Sequence, residues 1–548
     1  MTKGKRYAII SGIMVLPFVL GFYAGDMHEE ILNENLRLFS SFYRILEDNY
    51  VDSIDNEKLV RVAIDATVKA LDPYTAFYNM KETEQRNNAW KGILYAGIGS
   101  AVSQRDSSFV ITEPYEGYGA MKAGLRSGDV IISIDGKSAR GMKFDDVIKS
   151  LRGEAGKTVA VSADRKGKRF DAVIERKEIK VKTVPYHGMV DDSVGYIKLE
   201  QFLYGTASDF HQAVRILKEK GAVSLIIDLR DNTGGLVDET VKCLSVFFPM
   251  NTLVCSLKGK NKNNCYSYHT KDQPVDTLVP LVVMVNKKTI SAGEIFAGAI
   301  QDHDRGIIKG TRTFGKGFVQ GTRFPGGNTS LYVTSARYHT PSGRCIQELD
   351  YGRKYKDGSV TYVADSLKQI FHTRNGRPVR SHGGVYPDIS VSDVAPHPVI
   401  SAFVNGWSLF DYANHYHASH ESIAAPDMFQ LDSDELREVS KAVRTGAVSF
   451  ETVADKSLDE AVMKMKEEFM PDLNGKGERI MRSEIRANKI RVLETQAESF
   501  RFLLEKEICR RYYAARGAYT YASHHDKEIK KAIVLLKNRK DYRSLLCR

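Results

Sequence analysis

Two short stretches hold residues that could do covalent chemistry. In "GTRTFGKG", residues 310–317, Lys316 stands between glycines and nearly spells the phosphate loop G-x-x-x-x-G-K-[ST]. Gly317 supplies no hydroxyl for magnesium. The sequel "FVQGTRFPGGNTSLYV" is strand-like, so no helix N-terminus would face the phosphates. Nucleotide binding is set aside. A lysine stripped of water can instead give up its proton near neutral pH and take one from a hydroxyl. Phe314 and Phe318 flank Lys316 with apolar surface, and Gln320 lies four positions on, the even spacing that places both on one face of a strand.

A base needs a nucleophile. In "PLVVMVNKKTISAGEIFAGAI" a buried strand runs into a short polar turn, and a helix begins at or just after Ser291. Helix N-terminal amides favour developing negative charge, and the small Ala292 and Gly293 leave room for a carbonyl. Taken alone, a serine at such a junction is ordinarily an N-cap. "DNTGG", ending at Gly235, is a second place where bare backbone can approach a ligand.

These residues need elements to hold them. The chain has 548 residues, 42% apolar and 27% charged, which indicates several folded domains and little disorder. Residues 26–90 carry apolar residues at three- and four-residue intervals, a helical preface whose second helix must end near "LDPY" at Pro73. Residues 91–180 read as a compact β-rich module with turns at Ser127-Gly128-Asp129 and Asp135-Gly136. Residues 181–391 alternate strands and helices, the pattern of a layered α/β core. Residues 392–548 are helical in pattern. The fold class is therefore α/β multidomain, with an inserted β-rich module and a helical C-terminal region.

Lys3, Lys5 and Arg6 precede the uncharged run "YAIISGIMVLPFVLGFYAG" of residues 7–25. Nineteen such residues can cross a bilayer, and the basic flank favours the cytoplasmic side. Residues 1–25 are thus a membrane anchor or signal segment. No A-x-A-like site ends the run, which favours an uncleaved anchor, and the body lies outside the membrane. The net charge of +11 is spread along the chain, which argues against nucleic acid as a partner.

The six cysteines include no C-x-x-C pair, so no zinc site is readable. Cys255 and Cys265 flank a turn-rich stretch, and a hairpin disulfide between them stays open. His415, His417 and His420 in "HYHASH" lack a carboxylate or cysteine partner and read as a solvated loop, with no metal expected. No His-Asp pairing with Ser291 is readable from spacing. The basic C-terminal helices leave open a homo-oligomer or adaptor contact.

"LDPYTAFY", "LIIDLRDNTGG", "SAGEIFAGAI", "FGKGFVQ", "YHTPSGRCIQ" and "GGVYPDI" occur in this order, with a module resembling a PDZ domain between the first two. Together they resemble the C-terminal processing, or tail-specific, serine proteases of envelopes and chloroplasts. The resemblance spans about residues 35 to 390. It implies Ser291 as nucleophile, Lys316 twenty-five residues on as general base, Gln320 as the group orienting the lysine, and the N–H groups of Gly235 and Ala292 as oxyanion donors. No cofactor is implied. The segment Tyr95, Ala96, Gly97, Ile98, Gly99 and Ser100 resembles the loop that receives a C-terminal carboxylate while the peptide adds as a strand. The implied protein is an endopeptidase cutting exported proteins at or near free C-termini, anchored in the inner membrane and facing the periplasm. The rival is a catalytically silent scaffold that binds tails. Gly293 stands where many relatives have serine, and Thr289-Ile290 where Ser-Ala is frequent; these departures leave substrate preference open.

Overall fold

In the computed structural model, the described residues are 29–326, 329–354, 359–392, 396–469 and 475–547. The run at residues 7–25 lies outside them. Among the described residues, no helix is long and apolar enough to cross a membrane. The described residues form two units, divided between Phe77 and Tyr78.

The first unit holds a helix over residues 29–49 and a second at Asn56–Leu71. The latter starts on Asp55, whose carboxylate accepts the Lys58 N–H at 3.0 Å, the N-cap arrangement. It stops before Pro73, as the "LDPY" signal requires. There the Asp72 carboxylate accepts the N–H groups of Tyr74 and Thr75 at 2.8 Å each, which closes the turn.

In the second unit, the β-rich module is a five-strand path, Ser100–Arg105, Ser108–Pro114, Val130–Ile134, Thr158–Arg165 and Lys168–Glu175, with helices Gly119–Lys122 and Phe144–Leu151. Ile98, Phe109, Ile111, Val147 and Ile174 fill its core. Asp135 and Gly136, both at positive φ, join Val130–Ile134 to Lys137–Ser138, the type I′ geometry that a two-residue Asp-Gly turn favours.

The α/β core is built on six strands in chain order: β1 (Tyr186–Asp191), β2 (Val194–Lys198), β3 (Ser224–Asp228), β4 (Leu281–Val285), β5 (Ile307–Gly310) and β6 (Ile389–Ser390). β1 and β2 are antiparallel; every later pair is parallel. The crossovers from β2 to β5 carry α1 (Thr206–Glu219), α2 (Val237–Ser245) and α3 (Ala292–Asp302). Crossovers of one hand that always step in one direction put their helices on one face. Accordingly Phe210 and Leu217 of α1, Leu244 of α2 and Phe296 of α3 pack with Leu225, Ile227, Val283 and Ile308.

The alternate residues Tyr196, Ile226, Val282, Met284 and Ile307 point the other way and need a second cover. The last two helices provide it, α4 (Lys527–Lys537) and α5 (Arg539–Leu546), through Ile529, Ala532, Leu536 and Tyr542. The Tyr542 hydroxyl accepts the Leu281 N–H at 2.9 Å and donates to the Leu281 carbonyl at 3.0 Å. The end of the helical region therefore belongs to the core sandwich. Leu536 is 1% exposed, so Leu536→Ala should cost roughly 2–5 kcal/mol, read as a lower urea midpoint. An unchanged midpoint would exclude α4 from the core.

The rest of the helical region has its own centre of Phe403, Leu409, Phe429, Val443, Leu493, Phe500 and Leu504. His415 and His417 lie on the helix Ser408–Ser419, and His420 caps it, which corrects the expectation of a loop: Leu409, Ala413 and Tyr416 supply the buried stripe that folds this stretch as a helix.

A second sheet packs on the core through Val254, Cys255 and Tyr338. Thr329–His339 pairs antiparallel with both Leu253–Gly259 and Phe318–Gly326, and Leu253–Gly259 also pairs with Tyr266–His269. The expected hairpin around "SLKGKNKNN" is thus present. Its cysteines are free thiols, Cys255 buried and Cys265 exposed, because residue 255 pairs with Tyr268, not with 265.

Candidate active site

Ser291 sits where β4 has ended and α3 begins, with φ 56° and ψ −113°. That left-handed backbone is costly for a residue with a side chain and makes a sharp strand-to-helix elbow. The Asn232–Gly235 loop is pressed against it. A Cβ built on Gly234 would lie 3.0 Å from Ser291 Cβ and 3.1 Å from the Ala292 nitrogen, and one on Gly235 would lie 2.2 Å from the Phe202 carbonyl oxygen. Both positions therefore require glycine. Asn232 holds the loop: its Nδ2 donates to the Leu199 carbonyl at 2.8 Å, its Oδ1 accepts the Gly234 N–H at 2.9 Å, and its carbonyl accepts the Ile290 N–H at 2.9 Å. The N–H groups of Gly235 and Ala292 enter no backbone hydrogen bond among the described residues. Two donors beside one hydroxyl are what a developing oxyanion needs.

Lys316 lies in the loop before Phe318–Gly326, not on the strand. Its Nζ nevertheless donates to Gln320 Oε1 at 3.1 Å, and Gln320 Nε2 donates to Thr334 Oγ1 at 3.1 Å. The expected pairing is therefore present although its geometric premise is not; a register shift between Val319 and Gln320 turns the glutamine towards the loop. Of the two expected apolar flanks, Phe318 is buried and Phe314 is 39% exposed. Lys316 itself is half-buried.

The serine and the lysine are tied together by two residues. Glu294, fully buried, accepts the N–H groups of Ser291 and Lys316 on one oxygen, at 2.8 and 2.9 Å. Its other oxygen accepts Thr313 Oγ1 at 2.6 Å and the Gly315 N–H at 2.7 Å. From the opposite side, the Tyr338 hydroxyl is shared between the carbonyls of Ser291, 2.9 Å, and Lys316, 2.7 Å. Burial pushes the Glu294 carboxyl up to about 7, while its four donors pull the other way. Neither residue was among those singled out from the sequence. Glu294 was legible as a serine followed three positions later by glutamate, a capping-box spacing; Tyr338 had no local signal.

Residues 193–352 match the model of peptidase family S41, residues 110–165 a PDZ domain, and residues 399–536 the C-terminal helical domain of probable PDZ-proteases. A carboxy-terminal-processing protease of Bartonella bacilliformis is 32% identical over 357 residues, which are 62% of this chain and 81% of the relative. The chain belongs to peptidase family S41. A probable CtpA-like serine protease of Staphylococcus aureus is 33% identical over 319 residues, 57% of this chain and 62% of that protein. A solved photosystem II D1 C-terminal processing protease shares 26% identity, covering 65% of this chain and 88% of its own, with a TM-score of 0.37.

The S41 membership makes this a serine-type carboxy-terminal-processing peptidase with a PDZ domain, and it gives the elbow a setting. The two departures noted at Thr289 and Gly293 face each other in this S41 core. Thr289 Oγ1 donates to the Leu229 carbonyl at 2.8 Å, and a Cβ on Gly293 would lie 3.1 Å from Thr289 Cγ2 and 3.0 Å from Asn232 Oδ1. The threonine methyl occupies the room that a side chain at 293 would use.

The PDZ segment 95–100 divides in two. Residues up to Gly97 belong to a strand, Ile93–Gly97, paired with Lys177–Lys180. Gly99, at φ 77°, turns the chain, and a Cβ there would lie 2.2 Å from Tyr118 Cβ. Ser100 then opens the edge strand Ser100–Arg105. The Arg152 guanidinium lies over the Tyr95 ring, 4.0 Å from its centroid, which puts a cation beside the turn.

Proposed function

We propose that this S41 peptidase cleaves exported proteins at or near their C-termini by a Ser291–Lys316 dyad. The observation that carries the reading is the shared fastening of the two residues, Glu294 on their N–H groups and Tyr338 on their carbonyls. In the reaction, neutral Lys316 takes the Ser291 Oγ proton as Oγ bonds to the scissile carbonyl carbon. The N–H groups of Gly235 and Ala292 receive the oxyanion. The proton passes to the departing amine as the C–N bond breaks, and water then hydrolyses the ester on Ser291. Gln320 holds the amine in line.

The substrate's tail adds to the edge strand Ser100–Arg105, with its carboxylate at the turn 97–100. The run at residues 7–25 anchors the chain in the inner membrane, with the body in the periplasm. A pair of substrates identical except for a free or amidated C-terminus tests the tail-binding part. We expect kcat/KM to fall about tenfold or more on amidation, the loss of a charge-assisted anchor. Equal values would remove the carboxylate from recognition.

A further inference from the structure

A large cavity lies away from the elbow, between the PDZ domain and the helical region. Its volume is about 1130 Å³, and Arg126, His417, Arg510, Arg511, Tyr512 and Arg516 are on its walls. Three observations set it apart from an ordinary domain seam.

The first is an incompletely used guanidinium. The Arg511 side chain is only 4% exposed. Its Nε donates to Asn414 Oδ1 at 2.6 Å and its Nη1 to Glu507 at 2.7 Å, but Nη2 is buried and donates to nothing among the described residues. Buried donors without acceptors are rare, and each calls for an explanation. The second is a charge imbalance. Glu507 serves both Arg510 and Arg511, and Arg510 has a second carboxylate in Glu113, so the imbalance lies with the two arginines that follow. Arg126 and Arg516 are exposed, and no carboxylate among the described residues pairs with either. The positive field they leave is felt at His417, whose protonated form is disfavoured by burial and by Arg126 and Arg511.

The third is a break in the helix Ala497–His525. Tyr513 (φ −125°, ψ 21°) and Ala514 (φ 53°, ψ −158°) are not helical, and the second half of the helix restarts at the cavity wall with Arg516 and Gly517 facing it. A restart presents unbonded N–H groups and the positive end of a helix dipole. An alanine held in a left-handed conformation is a strain that marks functional sites more often than plain linkers.

We propose that this cleft docks an acidic peptide segment of a partner protein, its carboxylates held by Arg511, Arg126, Arg516 and the restarted helix end. The cavity exceeds what a single phosphate fills. Its Tyr512 and His417 rings, packed edge to face 4.5 Å apart, offer flat surface to the apolar stems of a peptide. Of the glutamates on its walls, Glu113 is held by Arg510 at 2.9 Å and Glu116 faces Lys182 at 4.0 Å, so neither is paired with Arg126 or Arg516. The site is independent of tail recognition, since it needs no free C-terminus.

The test uses the full chain carrying Ser291→Ala, so that the probe survives, and a fluorescein-labelled, C-terminally amidated decapeptide of alternating glutamate and alanine. Fluorescence anisotropy should show binding that weakens with salt, and no binding of the matching glutamine peptide. Arg126→Glu with Arg516→Glu should weaken the glutamate peptide about tenfold or more; both are exposed, and the melting temperature reports folding. Should the pair lower it, Arg126→Gln alone must still weaken binding. Equal binding of the glutamine peptide, unchanged affinity in the variants, or tighter binding of a single-stranded oligonucleotide would overturn the proposal.

Discussion

Ser291→Ala and Lys316→Ala are each expected to stop turnover of a tailed substrate while leaving the melting temperature within a degree or two of wild type. Serine is the atom donor for the acyl-enzyme, so its loss should bring the rate to background. The lysine acts only in proton transfer, and a positioned general base contributes roughly 10²–10⁴-fold; its loss should fall in that range or beyond, since the carboxylate of the fastening, Glu294, has both oxygens taken up by four donors. The folds should survive because neither side chain closes the core. Glu294 and Tyr338 reach both residues through backbone N–H and carbonyl groups, which alanine retains. Turnover by either variant at more than a few per cent of wild type would remove that residue from the reaction.

The second large effect is expected at Glu294, a positioning residue that acts through its neighbours. Glu294→Gln replaces one oxygen of a carboxylate that accepts four donors. The amide NH₂ must then face two groups, at least one of them an N–H that cannot reverse its role. A buried donor left unsatisfied costs about 1–3 kcal/mol, and an ångström of displacement between Ser291 and Lys316 can cost about 10² in rate. We therefore expect kcat to fall roughly a hundredfold with KM nearly unchanged, together with a lower melting temperature. A merely structural role would change the melting temperature alone.

pH separates these readings further. The folded carboxyl is raised to about 7 from its ordinary 4.5, so the native state holds this proton more tightly than the unfolded chain. The associated stability is full below about 4.5 and is lost as pH rises through about 7. Ionisation is nonetheless what the N–H groups of Ser291, Gly315 and Lys316 require. Between these values wild type should lose stability while gaining kcat, and Glu294→Gln should show neither slope. Superimposable profiles would refute the assignment.

The parts of this molecule legible in the sequence are those whose cause is local. Asp135-Gly136 demands positive φ at both residues and makes the hairpin; Pro73 ends a helix; the strand–turn–helix around Ser291 announces an elbow. Lys316 and Gln320 were placed correctly as partners through a strand periodicity that the structure does not use. What stayed hidden depends on distant chain segments. Tyr338 meets Ser291 only because Thr329–His339 folds back over the core. The sequence marked residues 392–548 as helical, but not that α4 and α5 cover β2 to β5, since a helical pattern carries no address for its partner. Arg230 makes the same point: its guanidinium, beside Asp228, reaches Asp526 at 2.7 Å, where that carboxylate also accepts the Glu528 N–H at the start of α4.

The central claim, that an amine at Lys316 activates the hydroxyl of Ser291, is tested most directly by quenched-flow mass spectrometry with an activated ester of a tailed peptide. The account predicts a transient acyl adduct on the peptide containing Ser291 in wild type, and its formation slowed at least a hundredfold in Lys316→Ala. An adduct on another residue, or one formed on Ser291 at the same rate without the lysine, would contradict it.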